Sequence, residues 1–164
     1  MRIHLSADHR GWDLAKELEI WLAANGHQTI WHGPDFKDEG DDYPLFTIRT
    51  AQAQVADEDA GVTARSIVIG GDGSGEVISA NKVSGARAAM AMSPKQVELA
   101  RKHADASLLV IGSYHHSLQQ AQQLIEVFLT TNFGDILDDA RRIINTTEFE
   151  NSGTIEGWMI GYEG

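Results

Sequence analysis

Two kinds of apolar spacing alternate along the chain. Short runs of aliphatic and β-branched residues predict five strands, at residues 2–6, 28–31, 66–70, 86–92 and 108–112. Between the strands, apolar residues return every three or four positions, as they do on the buried face of a helix. Strands that alternate with helices form parallel sheets with crossover connections. The pattern therefore predicts an α/β protein with a three-layer Rossmann-like fold, in which helices flank a five-stranded parallel sheet.

Helical spacing is present in five segments, the last two of which follow the final strand. Residues 33–44 show neither spacing and are rich in acidic residues and turn formers, so we expect an exposed loop that borders a site. The apolar stripes that define the helices are Leu14, Leu18, Trp21 and Leu22; Ile48, Ala51 and Val55; Val97 and Ala100; Leu118, Ala121, Leu124, Ile125 and Phe128; and Ile136, Leu137, Ala140, Ile143 and Ile144.

The length of 164 residues, 42% of them hydrophobic, fits one domain with one core. We expect a single α/β domain over residues 1–150 and a C-terminal arm or tail over residues 151–164. The segment after Glu148 has no clear period, which predicts an irregular arm.

The charge and the composition exclude some classes of partner. A net charge of −11 argues against nucleic acid and anionic membranes, and it requires that any phosphate site be locally basic. The sequence contains no cysteine, so disulfides and thiolate chemistry are excluded. The first residues lack the apolar core of a signal peptide, and no apolar run approaches the length of a membrane span. These features predict a cytoplasmic protein.

Three polar clusters follow predicted strands, at residues 8–10, 70–76 and 113–116. Ligands of open parallel sheets bind beyond the carboxyl ends of the strands, so we expect the clusters to converge there. The middle cluster, Gly-Gly-Asp-Gly-Ser-Gly-Glu, is rich in glycine, which lets backbone amides approach an anion closely. It ends in Glu76, where a carboxylate could abstract a carbon-bound proton. The alternatives are a flexible loop and an acidic first-turn residue that the helix dipole favours.

Longer motifs lie in and around this loop, and their combination is more specific than the loop alone. They are SADHRGWDLAK at residues 6–16, DDYP at 41–44 and IGGDGSGEVISANKVSGARAA at 69–89. Taken together, they resemble the ribose-5-phosphate isomerase B and galactose-6-phosphate isomerase family over most of the chain. The resemblance implies an aldose–ketose isomerase. Family members take their base from a cysteine that opens the loop or from a glutamate that closes it. Gly70 and Glu76 make this sequence similar to the glutamate type.

The resemblance also implies roles for individual residues. Asp8 is expected to bind sugar hydroxyls, His9 to contact the phosphate or distal end of the substrate, and Tyr43 to line the pocket. His103 matches the histidine proposed to open the sugar ring. Considered on their own, Asp8 is equally a helix N-cap, Tyr43 a packing residue and His103 a surface histidine at a helix C-terminus.

The implied mechanism is a proton shuttle through a cis-enediolate, with no metal and no organic cofactor. Glu76 moves the proton, while the amides of Gly71, Gly73, Ser74 and Gly75 stabilise the oxyanion. Asp72 places a second carboxylate near Glu76, which predicts a raised pKa for at least one of the two. The resemblance further implies a homodimer in which the neighbouring subunit completes each active site, with a tetramer as the alternative.

The phosphate site departs from the family pattern. Members that use sugar phosphates commonly have arginines at the positions of Tyr114, Asp138 and Arg142, and only Arg142 is retained. Arg10 and Arg141 are the candidate replacements. The predicted substrate is a small sugar phosphate, by resemblance ribose 5-phosphate. The alternatives are a tetrulose phosphate, another pentose or hexose phosphate, an unphosphorylated sugar, and a catalytically silent sugar-binding regulator.

Overall fold

A computed structural model describes residues 1–155. Its single sheet has five parallel strands in the order β2-β1-β3-β5-β4, which confirms the predicted fold. The fourth strand is shorter than predicted, and the third begins two residues earlier, at Ala64. The strands are β1 (Arg2–Ala7), β2 (Gln28–Trp31), β3 (Ala64–Gly70), β4 (Ala88–Met90) and β5 (Leu108–Gly112).

Six helices complete the described part of the chain. On one face of the sheet, α1, α4 and α5 enclose an aliphatic core that includes Leu5, Ile69 and Ile111. On the other face, α2 and α3 enclose a smaller core around Val68 and Val110. None of these helices is both long and apolar enough to span a bilayer. The helices are α1 (Trp12–Ala24), α2 (Tyr43–Asp59), α3 (Ser74–Ala80), α4 (Pro94–Ala104), α5 (Leu118–Thr130) and α6 (Leu137–Ser152).

The contact between α2 and the sheet is partly polar. Thr50 Oγ1 donates a hydrogen bond of 2.7 Å to Ser6 Oγ, and Ser107 Oγ donates one of 3.1 Å to Gln54 Oε1. All four side chains are fully buried. These hydrogen bonds offset part of the cost of burying the four polar groups, although Gln54 Nε2 is buried with no partner in the described range. The apolar stripe predicted for α2 therefore describes only part of its buried face.

Helix α6 differs most from its prediction. It continues to Ser152 and ends at Gly153, so the irregular arm expected after Glu148 is wrong for residues 149–152. Glycine suits that position because its φ of 71° is left-handed. The helix packs against α4, yet Leu137 is 86% and Ile144 65% exposed. The rest of the predicted arm, residues 156–164, lies outside the described residues, and the domain boundary at residue 150 stays a prediction.

Candidate active site

The three polar clusters meet at the carboxyl ends of β1, β3 and β5, which are neighbours in the sheet. The backbone amides of Ser113 and Tyr114 donate to the carbonyls of Gly70 and Gly71, at 2.9 and 3.0 Å. Ser113 Oγ donates to the carbonyl of Arg10 at 2.9 Å. The predicted convergence is confirmed, and backbone hydrogen bonds fix it.

Glu76 lies in the first turn of α3, and its carboxylate folds back over the end of β3. The turn that leads there passes through Gly73, whose φ of 91° favours glycine. A Cβ atom on Gly70 would overlap Glu76 Oε1, so the carboxylate occupies the space of a side chain at position 70. Glu76 is only 4% exposed. The site thus holds a carboxylate that is almost completely removed from water.

Burial raises the pKa of Glu76 above the usual range of a glutamate. The negative charges of Asp8 and Asp72 raise this pKa further, whereas the positive charge of Arg10 lowers it. A carboxylate whose pKa moves toward neutrality is a stronger base and, once protonated, remains able to return the proton. These are the properties that a proton shuttle requires.

Asp72 is exposed, and it organises the glycine loop. Its Oδ1 accepts a hydrogen bond of 2.6 Å from the amide of Ser74. Hydrogen bonds from Ser74 hold the pKa of Asp72 below its usual range. The expected raised pKa is therefore found at Glu76 and not at Asp72. Because the amide of Ser74 is already engaged, the amides of Gly71, Gly73 and Gly75 remain as the predicted donors to an oxyanion.

Tyr43 forms a wall of this site. Its ring covers Gly75 so closely that a Cβ there would overlap the phenol. Tyr43 is the first residue of α2 and is 37% exposed, so its ring borders both the loop and the solvent. The expectation that this side chain lines the pocket agrees with its position.

Asp8 and His9 follow β1 and face different partners. Asp8 Oδ1 accepts the amides of Arg10 and Gly11, at 3.1 and 2.9 Å, just before α1 begins. These bonds close the turn that leads into α1, but the N-cap residue of the helix is Gly11, so the alternative of Asp8 as the N-cap is wrong. His9 Nδ1 lies 2.6 Å from Asp41 Oδ1. Asp8, His9 and Asp41 place potential metal ligands within 4.8 Å of one another, but the short His9–Asp41 distance is that of a hydrogen bond.

Arg10 and Tyr114 lie together over Gly71. A Cβ on this glycine would lie 3.0 Å from Arg10 Cδ and 3.0 Å from Tyr114 Cε2. Arg10 is exposed, and its guanidinium forms no hydrogen bond or ion pair with any residue in the described range 1–155. A cation with no direct hydrogen-bond or ion-pair partner among the described residues therefore lies at the rim of the site, where the family pattern has an arginine in place of Tyr114.

His103 and Arg142 belong to a second cluster, on α4 and α6. His103 Nδ1 lies 2.7 Å from Asp139 Oδ2, and Arg142 donates to Asp139 Oδ1 at 2.6 Å. These bonds, that from His103 first, hold the pKa of the buried Asp139 low. The two residues border a cavity of about 560 Å³ that also contacts Asn81 and Arg87 but no residue of the Glu76 site. Within one chain, the predicted site residues therefore form two groups.

The comparison with known proteins identifies the family. The sequence profile described as ribose/galactose isomerase matches residues 3–145. The chain belongs to this family. It is an aldose–ketose isomerase, as the motifs around Glu76 predicted.

The names of similar proteins agree with this family assignment. Ribose-5-phosphate isomerase B of Mycolicibacterium paratuberculosis is 40% identical over 152 residues, 93% of each chain. The Escherichia coli protein of that name is 31% identical over 132 residues, 80% of this chain and 85% of its own. The Mycoplasma genitalium ribose-5-phosphate isomerase B, solved with bound ribulose 5-phosphate, superposes with a TM-score of 0.85 at 30% identity, over 92% of this chain and 97% of its own.

Two site residues of this isomerase were missed from the sequence. Asp41 belongs to the DDYP motif but was not assigned a role, and Asp139 was not considered. Each is the partner of a histidine that was predicted, 32 residues from His9 and 36 from His103. Only a search for acidic partners of each candidate histidine could have suggested them.

Proposed function

We propose that this isomerase interconverts ribose 5-phosphate and ribulose 5-phosphate, with Glu76 as the base. The observation that carries the proposal is the buried Glu76 carboxylate, which lies over Gly70 and next to the glycine loop. The relatives named above act on this sugar phosphate by name, and one of them binds its ketose form.

In the proposed reaction, the open-chain aldose presents its C2–H bond to the Glu76 carboxylate. The carboxylate removes this proton, the electron pair forms the C1–C2 double bond, and the carbonyl oxygen on C1 becomes an oxyanion. The amides of Gly73 and Gly75 stabilise that charge. The oxyanion takes the proton of the C2 hydroxyl, and Glu76 returns its proton to C1. The product is the ketose, and neither a metal nor an organic cofactor is needed for the proton balance.

The residues around Glu76 are assigned to substrate binding. Asp8, His9 and Tyr43 border the space where the sugar hydroxyls would lie. Arg10 supplies the cation for the phosphate, because its guanidinium lies at the rim and has no protein partner among the described residues. Charge-assisted hydrogen bonds from a guanidinium suit a phosphate well.

We also propose that the active enzyme is a homodimer with shared active sites, in which His103 and Arg142 serve the Glu76 site of the partner copy. His103 would open the sugar ring. The His103 side chain is 47% exposed, and Leu137 and Ile144, which lie close to Arg142 in the sequence of α6, are also exposed. Burying such a leucine or isoleucine stabilises an interface by about 1.5–3 kcal/mol each. A second copy that covers α6 would supply this burial.

A shorter sugar phosphate, such as a tetrulose phosphate, is the second candidate substrate. Tyr114 and Asp138 replace two arginines of the family pattern, so a phosphate at the usual distance would lose two guanidinium contacts. Arg10 lies over Gly71, directly beside the residue that Glu76 covers. A phosphate held by Arg10 alone, without Arg142 of the partner copy, favours a shorter chain.

A panel of tetrose, pentose and hexose phosphates, with the free sugars beside them, tests both candidates. Isomerisation in deuterium oxide should introduce solvent deuterium into the product. Glu76→Gln should lower kcat by about 10²–10⁴-fold and abolish the exchange. Retained exchange in that variant would remove Glu76 as the base. Binding of a sugar phosphate by the wild type with no turnover would instead indicate a silent binding protein.

A further inference from the structure

The acidic loop between β2 and α2 is held by contacts at its start and near its middle. Trp31 Nε1 donates to the carbonyl of Pro34 at 2.9 Å, and Lys37 forms an ion pair of 2.8 Å with Asp13 of α1. Lys16 lies 3.5 Å above the ring of Trp31 and fixes the start of the loop. These contacts direct residues 38–42 back toward the end of β1, where Asp41 reaches His9.

Asp41 binds His9 twice through one oxygen. Its Oδ1 accepts the backbone amide of His9 at 3.1 Å and lies 2.6 Å from Nδ1. The Asp41 side chain is 6% exposed, and its Oδ2 is buried with no hydrogen-bond partner in the described range. A buried carboxylate with one unsatisfied oxygen is costly. The short contact to His9 is thus the main compensation that the described residues offer to this charge.

The chemistry of the pair fixes where the proton is. An ionised carboxylate can only accept hydrogen bonds, so Nδ1 of His9 must carry a proton and donate it. In the neutral ring the other nitrogen, Nε2, is then an acceptor. Nε2 has no partner among residues 1–155, and it is not among their buried unsatisfied atoms. It therefore keeps a free lone pair beside the site.

We propose that Asp41 is a positioning residue, which holds His9 in the Nδ1-protonated form and turns Nε2 toward the substrate as an acceptor for a sugar hydroxyl. The role of Asp41 in turnover rests on the proposed function, whereas the position of the proton on the His9 ring does not. Asp41 would act through His9 and would not touch the substrate. The loop between β2 and α2 then contributes to sugar binding through Asp41.

Nitrogen NMR of ¹⁵N-histidine-labelled protein tests the ring directly. His9→Asn identifies the signal of His9 among the seven histidines. Above the pH at which the ring becomes neutral, the wild type should carry its proton on Nδ1. In Asp41→Ala, which removes both hydrogen bonds, the proton should move to Nε2, the form usual in water. A wild-type proton on Nε2 would overturn the proposal without any variant.

The kinetic test separates positioning from chemistry. Asp41→Ala should raise KM for the sugar phosphate about tenfold or more and change kcat much less, because sugar binding is lost while Glu76 is intact. Asp41→Asn keeps an acceptor oxygen and should recover part of the affinity. The matched control is Asp35→Ala in the same loop, since Asp35 is exposed and has no hydrogen bond or ion pair with the described residues.

The two hypotheses fail in different ways. Unchanged KM in Asp41→Ala, in an enzyme that isomerises a sugar phosphate, would overturn the positioning role alone. If the wild type isomerises no sugar on the panel, the proposed function fails, and the NMR measurement still decides the state of His9. If Asp41→Ala does not fold, the wild-type NMR spectrum still tests the proton position on His9, and the KM of Asp41→Asn still tests the positioning role.

Discussion

The two groups of site residues differ in how they are held. The Glu76 group follows three adjacent strands and is joined by backbone hydrogen bonds, with Glu76 itself almost fully buried. The His103 group lies on two helices and is joined only by side chains, with Arg142 64% exposed. The backbone hydrogen bonds fix the positions of the loops around Glu76, and proton transfer depends on such fixed positions. The comparison teaches that one chain holds the glycine loop and the buried carboxylate together, whereas the His103 group lies apart from them, as the proposed sharing of sites between two copies requires.

Mixing two inactive variants tests whether the Glu76 group of one copy and the His103 group of another form one active site, and this experiment has the largest expected effect. Glu76→Gln and His103→Asn should each lower the activity of a homodimer by about 10²–10⁴-fold, since each removes an acid–base group. Co-expression of both variants should restore about a quarter of wild-type activity, because half of the dimers would then contain one intact shared site. Activity of tagged, purified mixtures is the measurement. Glu76→Gln mixed with a Glu76→Gln, His103→Asn double variant is the control and should stay inactive. Failure of the first mixture to recover would place both groups in one chain's site.

Gly70→Ala should disturb the Glu76 group without removing a functional group. The new methyl would displace the Glu76 carboxylate, because the two occupy the same space. Misplacement by about 1 Å can cost about 10²-fold in rate, so kcat should fall by that order. Steady-state kinetics measures it, with circular dichroism to verify the fold. Gly40→Ala is the control, since its methyl would meet Asp38 Oδ1 at an ordinary 3.5 Å. Equal kcat in Gly70→Ala and wild type would contradict the assignment of Glu76.

A substitution of Arg10 tests which of the two groups binds the phosphate of the substrate. Arg10→Ala should lower kcat/KM for the phosphorylated substrate about tenfold or more, since hydrogen bonds to charged groups contribute about 1.5–3 kcal/mol each. The same change should leave a free sugar almost unaffected. Arg141→Ala is the comparison variant, because Arg141 is 62% exposed and pairs with Asp138 at 3.1 Å. A larger effect at Arg141 than at Arg10 would move the phosphate to the second group.

The smallest expected effect is on pH dependence. Glu76 acts as a base only when ionised, so kcat/KM should fall as the pH drops through its raised pKa. Asp72→Asn removes a negative charge that raises this pKa, and the acid limb of the profile should therefore move to lower pH. The shift should be small, because Asp72 is exposed and its charge is screened by solvent. Superimposable profiles of wild type and variant would show that Asp72 does not tune Glu76.

The sheet and the glycine loop could be predicted because their signals are local. Strands buried on both faces appear as continuous apolar runs, and a glycine-rich turn after such a run has few structural alternatives. Only the apolar part of the buried face of α2 could be predicted from spacing, because Thr50 and Gln54 are buried against Ser6 of β1 and against Ser107, which directly precedes β5. Polar residues that satisfy each other across distant segments look like surface residues in the sequence.

The partners of the histidines escaped prediction for a different reason. The distance between His9 and Asp41 depends on the path of the whole loop between β2 and α2, and no local pattern encodes that path. For α6 the helical period was read correctly, but Leu137 and Ile144 are exposed in the single chain. Periodicity reports that a face is apolar and does not report which molecule covers it.

The shared space of residues 70 and 76 constrains how the family can have changed its base. In the cysteine type, the base stands where this chain has Gly70, and here a side chain at that position would collide with the Glu76 carboxylate. A lineage that adds the cysteine first loses the proper placement of the glutamate, and one that removes the glutamate first has no base. We therefore expect each single substitution to lower activity and the pair to restore it. The two types are therefore expected to form separate branches, with few sequences between them.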